Sequence, residues 1–121
     1  MVFAHFPAGF IVAFITKRFW QRDLNKRQTC WLYLVGALAG ILPDIDTLYY
    51  YLINSQLSHR ELITHTPVFY LVIWLVIFLL GYILKNSFVR SLGLVIFLGA
   101  MSHLLLDSFN SGIGWVYPFT D

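Results

Sequence analysis

Residues 67–84 read PVFYLVIWLVIFLLGYIL, an uncharged run of 18 residues, and this stretch decides the kind of fold to expect. A helix that crosses a bilayer needs about 20 mostly apolar residues, with about 17 as a practical minimum. The run meets that minimum by itself. Thr66 can cap such a helix, and Pro67 would then occupy the first helical position, where proline is tolerated. The stretch therefore predicts a transmembrane helix.

Three further apolar segments lie on either side of this run, at residues 3–16, 31–42 and 92–106. Together the segments predict an all-α fold: a polytopic membrane protein with about four transmembrane helices in a compact bundle and a polar site at one end. We expect a single membrane-embedded helical domain over residues 1–121. The first two segments are short, so two arrangements stay open. Snorkelling of Lys17, Arg18 and Arg27 would extend their reach, or the two segments would form a half-inserted hairpin.

The composition agrees with a membrane protein. Hydrophobic residues make up 59% of the 121 residues and charged residues 12%, whereas a soluble domain is about 25% charged. A soluble chain this short could not bury so much apolar surface. The single cysteine, Cys30, excludes an internal disulfide. Positive charge follows the first apolar segment instead of preceding it, so we expect a retained helix and no cleaved signal peptide.

The basic residues predict an orientation. The loop after the first segment carries five basic residues: Lys17, Arg18, Arg22, Lys26 and Arg27. The loop after the third segment carries Lys85 and Arg90. With four spans both loops fall on the same side, and basic loops tend to stay in the cytoplasm. We therefore expect a multi-pass protein of a bacterial-type inner membrane. Its N-terminus, the 43–66 connection and the C-terminal tail would face the outer side.

Potential metal-binding side chains sort to that outer side. They are four histidines and four acids, His5, His59, His65, His103, Asp44, Asp46, Glu61 and Asp107. Ionisable groups near lipid are costly and usually functional, and histidine with carboxylate is the ligand set of zinc and similar divalent ions. His103 and Asp107 are four residues apart, so on a helix they share a face. Asp44 and Asp46 would point the same way in an extended chain.

Each residue has a simpler interpretation when it is taken alone. His5 can be an interfacial residue, Asp44 and Asp46 can end a helix in a turn, and His103 with Asp107 can form one buried hydrogen bond. All these interpretations would have to hold together to remove the site, and the location of the residues on one side argues against that.

Arg60 lies between candidate ligands and cannot itself bind a metal ion. Its fork-shaped guanidinium suits phosphate, either on a substrate or on a lipid headgroup. The neighbouring Glu61 is predicted to be a solvated loop acid.

Several motifs, in this order, resemble the bacterial membrane-bound metal-dependent hydrolase family of the YbcI/YdjM type. They are Gly40-Ile-Leu-Pro-Asp-Ile-Asp46, His59-Arg60 with Thr64-His65-Thr66, His103-Leu-Leu-Leu-Asp107, and Gly114 to Pro118-Phe119. His5 matches the histidine near the N-terminus of that family. The resemblance covers most of the chain, and it implies a helical membrane protein with metal-dependent hydrolase activity.

The chain departs from that family in two respects. The spacing from His59 to His65 is one residue longer, and the chain stops at Asp121, which suggests a short or truncated member. More distantly, the chain is similar to zinc-dependent phospholipase C and P1 nuclease, which bind three zinc ions and use the mature N-terminal amine as a ligand. Here Met1 precedes His5, which argues against a three-zinc site of that kind. The number of bound ions, from one to three, stays open.

The predicted function is a metal-dependent hydrolase that acts on a phosphoester, such as a phospholipid, at the outer face of the bundle. Zinc is the expected ion. The predicted ligands are His5, Asp44, Asp46, His65, His103 and Asp107, and the catalytic candidates are Asp46, Arg60 and His59. We expect membrane lipid as a partner and no nucleic acid, and the oligomeric state is open. The alternatives are a transporter or proton-relay component and a membrane protein with a structural metal site.

The orientation can be tested by cysteine-accessibility labelling. We expect a cysteine at position 55 to react with an impermeant reagent from the outer side, since the positive loops hold residues 17–27 in the cytoplasm. Labelling of position 55 only from the cytoplasmic side would contradict the four-span arrangement.

Overall fold

The computed structural model describes residues 2–20, 23–45, 52 and 63–109. Within these ranges the chain forms helices α1 (Val2–Phe19), α2 (Lys26–Ala39), α3 (Pro67–Ile83) and α4 (Ser87–Ser108). Two 3₁₀ turns, Leu42–Asp44 and Ile63–His65, lie between α2 and α3. The described residues contain no strand, so the all-α prediction is confirmed.

Two helices begin earlier than their apolar segments do, because polar first turns are capped. α2 begins at Lys26, where Asn25 and Gln28 form a capping box: the Gln28 N–H donates to Asn25 Oδ1 at 2.8 Å, and the Asn25 N–H donates to Gln28 Oε1 at 3.1 Å. α4 begins at Ser87, and the preceding Asn86 caps it: Asn86 Oδ1 accepts hydrogen bonds from the N–H groups of Phe88 at 3.0 Å and Val89 at 3.2 Å. Hydrophobicity alone does not reveal these capped turns.

The ends of α3 position it against α4. Thr66 is the N-cap residue, as predicted, although its side chain makes no capping hydrogen bond. At the other end the N–H of Asn86 donates to the carbonyl of Gly81 at 2.9 Å, and the N–H of Lys85 donates to that of Tyr82 at 3.1 Å. Lys85 has a φ of 51°, which completes a Schellman turn with lysine where glycine is usual. This short turn places α3 and α4 antiparallel.

The central helix of the arrangement is α4, which packs against each of the other three helices. Small residues allow close approach at the contacts among α1, α2 and α4. A Cβ atom on Gly9 would overlap the carbonyl oxygen of Gly36 and the backbone of Gly40. A Cβ atom on Gly99 would contact Ala39 Cβ at 2.9 Å. We call this contact of Gly9, Gly36, Gly40, Ala39 and Gly99 the glycine seam.

The chain direction brings four helix ends together. α1 and α3 begin at the end of the bundle where α2 and α4 finish. Accordingly, His5, Asp44, His65 and Asp107, each near one of these helix ends, lie close to one another there. We call this the histidine end. The last turn of α1, with Lys17 and Arg18, and the first turn of α4, with Arg90, lie at the other end, the basic end.

The helices differ in whether their length and hydropathy are sufficient to cross a membrane. Of the helices in the described ranges, the 22-residue α4 is the one long and apolar enough to cross a bilayer, while α3 is apolar but has 17 residues. Both α1 and α3 expose large apolar side chains along one side, among them Phe10, Ile11, Phe14, Leu75, Val76 and Leu79. The four-span arrangement stays a prediction.

The glycine seam makes a prediction about stability. We expect Gly9→Ala to lower the free energy of unfolding by about 1–3 kcal/mol, because the added methyl group must displace backbone atoms. Gly93→Ala is the matched control, since its Cβ would meet the side chain of Ile77 and should cost less. Detergent-denaturant unfolding followed by circular dichroism measures both. A Gly9→Ala protein as stable as the wild type would contradict close helix packing.

Candidate metal centre

The central side chain of the histidine end is His103, which is fully buried in the penultimate turn of α4. Its Nδ1 lies 2.8 Å from the carbonyl oxygen of Gly40, just beyond α2. A carbonyl oxygen can only accept a hydrogen bond, so Nδ1 carries the proton and donates. In a neutral ring the lone pair is then on Nε2. Metal-binding histidines are commonly oriented in this way by a hydrogen bond from the other ring nitrogen.

His103 Nε2 faces two carboxylates. It lies 3.5 Å from Asp44 Oδ1 and 3.5 Å from Asp107 Oδ2, and it has no hydrogen-bond partner among the described residues. These distances are longer than a charge-assisted hydrogen bond of about 2.7–2.9 Å. They match the separation of about 3–3.5 Å between ligands of one zinc ion, whose bonds are about 2.0–2.2 Å long. The spacing favours a shared cation over direct hydrogen bonds.

His65 completes a group of four donors. It comes from the second 3₁₀ turn, is fully buried, and forms a T-shaped pair with His103, with the centroids 5.6 Å apart and the planes at 71°. Its Nε2 lies 4.0 Å from Asp107 Oδ2. One ligand atom from each of Asp44, His65, His103 and Asp107 lies within 4.8 Å of the other three. We call these four residues the metal cluster.

His5 borders the metal cluster from α1. It is 2% exposed, and its Nε2 lies 3.2 Å from Asp107 Oδ1. Its ring stacks on that of His103, with the centroids 3.9 Å apart and the planes at 29°. His5 can therefore orient both the carboxylate of Asp107 and the imidazole of His103, or act as a fifth donor. Helix α1 thus contributes to a site whose other residues follow α2, precede α3 and end α4.

The charges at the histidine end favour a divalent cation. The side chains of Asp44 and Asp107 are only 18% and 12% exposed, so two carboxylates lie close together in a largely buried site. Burying two carboxylates in one site is costly unless their charge is balanced. A divalent ion would balance the two negative charges, and a mixture of imidazole and carboxylate suits zinc and related ions. The donors present therefore fit a bound metal.

The structure brings together the predicted ligands Asp44, His65, His103 and Asp107, and it places His5 against them. Their binding of an ion stays a prediction. Four further predicted or discussed residues, Asp46, His59, Arg60 and Glu61, lie outside the described residues.

Of the two interpretations of Asp44, extended chain or a turn that ends a helix, the structure has the turn. Asp44 ends a 3₁₀ turn, and Ile45 has helical dihedral angles of φ −62° and ψ −26°. Pro43, the middle residue of the turn, has its φ fixed near the helical value, which favours a tight turn over an extended strand. Asp44 therefore reaches His103 from a turn.

Sequence reasoning missed the role of Gly40, which it noted only as the first residue of a family motif. Gly40 presents its carbonyl to His103, and a Cβ there would overlap the carbonyl oxygen of His5. Neither role is visible in a single sequence. Every residue has a backbone carbonyl, and the close approach of α1 is known only once the helices are packed.

The fold and the cluster define an all-α protein with a buried histidine–aspartate centre that could hold a metal ion. More specifically, the chain belongs to the YdjM inner membrane protein family, whose family model matches residues 1–121. No curated protein and no solved structure matches the chain. The family confirms the predicted YdjM-type membership and the inner-membrane class. The hydrolase activity and the likeness to phospholipase C and P1 nuclease stay predictions.

The cluster predicts different effects for its two stacked histidines. His103→Ala should abolish the binding of zinc, because it removes a donor at the centre of the cluster. His5→Ala should weaken binding by about 10- to 100-fold if His5 orients the ligands from outside. Ser102→Ala, beside His103 on α4, is the control. Elemental analysis and competition with a zinc chelator measure the effects, and wild-type protein that retains no divalent ion would contradict the centre.

Proposed function

We propose that this protein is a membrane-bound metal-dependent hydrolase that cleaves a phosphoester of a phospholipid or related substrate at the outer membrane face. The observation that carries the proposal is the arrangement of His103. Its Nδ1 is held by the Gly40 carbonyl, and its buried Nε2 faces the carboxylates of Asp44 and Asp107 at 3.5 Å each. Such a pre-oriented donor set suits an ion that must be held firmly while it acts.

In this proposal Asp44, His65, His103 and Asp107 hold the ion, and His5 holds Asp107 and His103 in place. A bound divalent ion supplies a nucleophile at neutral pH, by lowering the pKa of a bound water toward about 7, and it polarises a phosphoryl oxygen. The chain's own contribution is to fix the donors before the substrate arrives. The stack of His5 on His103 and the bond to Gly40 serve that purpose.

The exposure of the donors indicates where a substrate could approach. The imidazoles of His5, His65 and His103 are 0–2% exposed, whereas the carboxylates of Asp44 and Asp107 are 18% and 12% exposed. Within the described residues the carboxylate side is therefore the more open side of the cluster. A catalytic site needs such an open position for water or substrate.

Three residues between the two 3₁₀ turns are the candidates for the remaining catalytic tasks. Asp46, two residues beyond Asp44, would serve as a general base or a second ligand. Arg60 would stabilise the negative charge that develops on the phosphoryl group, for which its planar guanidinium is suited. His59 would be a further ligand or would support one.

Membership of an inner-membrane family and the polarity of the helices support a substrate at the membrane surface. The metal cluster lies at the histidine end, and Lys17, Arg18 and Arg90 lie at the opposite end. If basic segments stay in the cytoplasm, the cluster faces the outer side. There it would meet lipid headgroups, which are phosphoesters.

A structural metal site is the second candidate, and one observation favours it. Four protein donors are enough to fill a tetrahedral zinc shell, as in structural sites. An ion bound in that way would only join the two 3₁₀ turns to α4. A proton relay is less well supported, because the cluster gathers its ionisable groups at one end of the helices instead of distributing them along a path.

The enzyme proposal predicts that binding and turnover can be separated. Asp46→Asn and Arg60→Ala should preserve folding and most of the bound metal, while turnover falls by about 10²–10³ through loss of proton transfer or charge stabilisation. His103→Ala should lower metal content and turnover together. The measurement pairs elemental analysis with hydrolysis of phospholipid and nucleotide phosphoesters by the purified protein.

A different result would select the structural role. Metal-loaded wild-type protein that hydrolyses nothing in this panel, and whose ion is ligated by protein alone in X-ray absorption spectra, would overturn the enzyme proposal. In that case His103→Ala should lower thermal stability, whereas Asp46→Asn and Arg60→Ala should leave both metal content and thermal stability unchanged.

A further inference from the structure

A cavity of about 510 Å³ lies at the basic end, remote from the metal cluster. Among the described residues it is lined by side chains of α1 and α2: Phe14, Lys17, Arg18, Phe19 and Tyr33. Its volume lies within the range of about 300–1,000 Å³ typical of ligand sites. Three aromatic rings and two cations in one cavity indicate a ligand with an apolar part and an anionic part.

The cations and one ring, that of Phe19, come from the last turn of α1, and the other two rings lie further from that end. Lys17 and Arg18 are in the last turn of α1, at the rim, while Phe14 lies one turn further into the bundle. The rings of Phe14 and Tyr33 form a wall, with their centroids 6.2 Å apart and their planes at 39°. Cationic heads above an aromatic wall are the arrangement found where side chains meet the headgroup layer.

We propose that this cavity, which we call the α1–α2 groove, binds an anionic phospholipid. The phosphate would pair with Lys17 and Arg18, and the upper part of an acyl chain would lie along Phe14 and Tyr33. A free phosphate could use the two cations but would leave the aromatic wall without a partner. Exposed Phe10, one turn before Phe14 on the same face of α1 and 5.3 Å from the ring of Tyr33, continues the apolar surface on which the chain would rest.

A second cavity of the same chemistry supports this assignment. It measures about 290 Å³, lies at the same end on α3 and α4, and is lined by Trp74, Phe78, Ser87, Arg90 and Leu94. The Nε atom of Arg90 is buried there without a hydrogen-bond partner among the described residues. Two separate cavities therefore combine aromatic rings with a cation at the basic end. Basic pockets between helices on the cytoplasmic side are suited to anionic headgroups.

The proposal does not rest on the proposed hydrolase, because the groove and the metal cluster share no residue. Binding at the groove would anchor the basic end to the anionic leaflet. A protein without bound metal should therefore still bind the lipid.

The test uses the full chain in detergent and a phosphatidylglycerol with a fluorescent acyl chain, followed by fluorescence anisotropy. We expect Lys17→Gln with Arg18→Gln to raise the Kd by roughly 20- to 30-fold, since each cation near anionic lipid contributes about fivefold. The matched control is Lys26→Gln with Arg27→Gln, which removes two exposed charges at the start of α2 that do not line the groove. Its Kd should change by less than about threefold, as expected of surface charges screened by salt.

Competition on the wild-type protein provides a second, independent measurement. Unlabelled dioleoyl phosphatidylglycerol should displace the probe, whereas dioleoyl phosphatidylcholine and inorganic phosphate at the same concentration should not. Exchanging the two cations, Lys17→Arg with Arg18→Lys, should retain binding, and circular dichroism verifies the fold of each variant. Equal losses in both glutamine variants, or equal displacement by phosphatidylcholine or by phosphate, would overturn the proposal.

Discussion

The hydrogen bond between His103 Nδ1 and the Gly40 carbonyl is the contact on which the geometry of the histidine end depends. It satisfies a carbonyl just beyond the end of α2, where backbone acceptors have no helical partner. It also determines which ring nitrogen of His103 can bind a cation. Without it the imidazole of His103 could rotate or change tautomer. The nitrogen that faces Asp44 and Asp107 would then no longer be fixed as the one with the lone pair. One backbone group thus links helix termination to the chemistry of the cluster.

The glycine seam makes that contact possible. Gly9 of α1 lies against Gly36 and Gly40, and the backbone of His5, one turn earlier on α1, lies against Gly40 as well. Because no side chain separates these helices, His5 can stack on His103 at 3.9 Å. Tight packing in membrane helices is commonly achieved with small residues. Here the same packing also sets the distances between the imidazoles.

The sequence reveals the parts of this structure that depend on apolar length and on gross polarity. Residues 67–84 predict α3 well, and the spacing of His103 and Asp107 places both on one face of α4. The polar first turn of α2 escapes such reasoning, because its capping box and not hydrophobicity decides where the helix starts. The sequence also leaves open whether Asp44 lies in extended chain or in a turn, since two carboxylates flanking one residue look alike in both.

The donors of the metal cluster are also far apart along the chain, at positions 44, 65, 103 and 107, with His5 beside them. Forming such a non-local site requires every intervening segment to be in place, and the last donors lie near the end of α4. During synthesis a nascent chain that has emerged only as far as α3 offers Asp44 and His65 but no central imidazole. If the cluster binds an ion as proposed, ion uptake would therefore come late in biogenesis, and occupancy of the centre would distinguish a fully assembled molecule from an incomplete one.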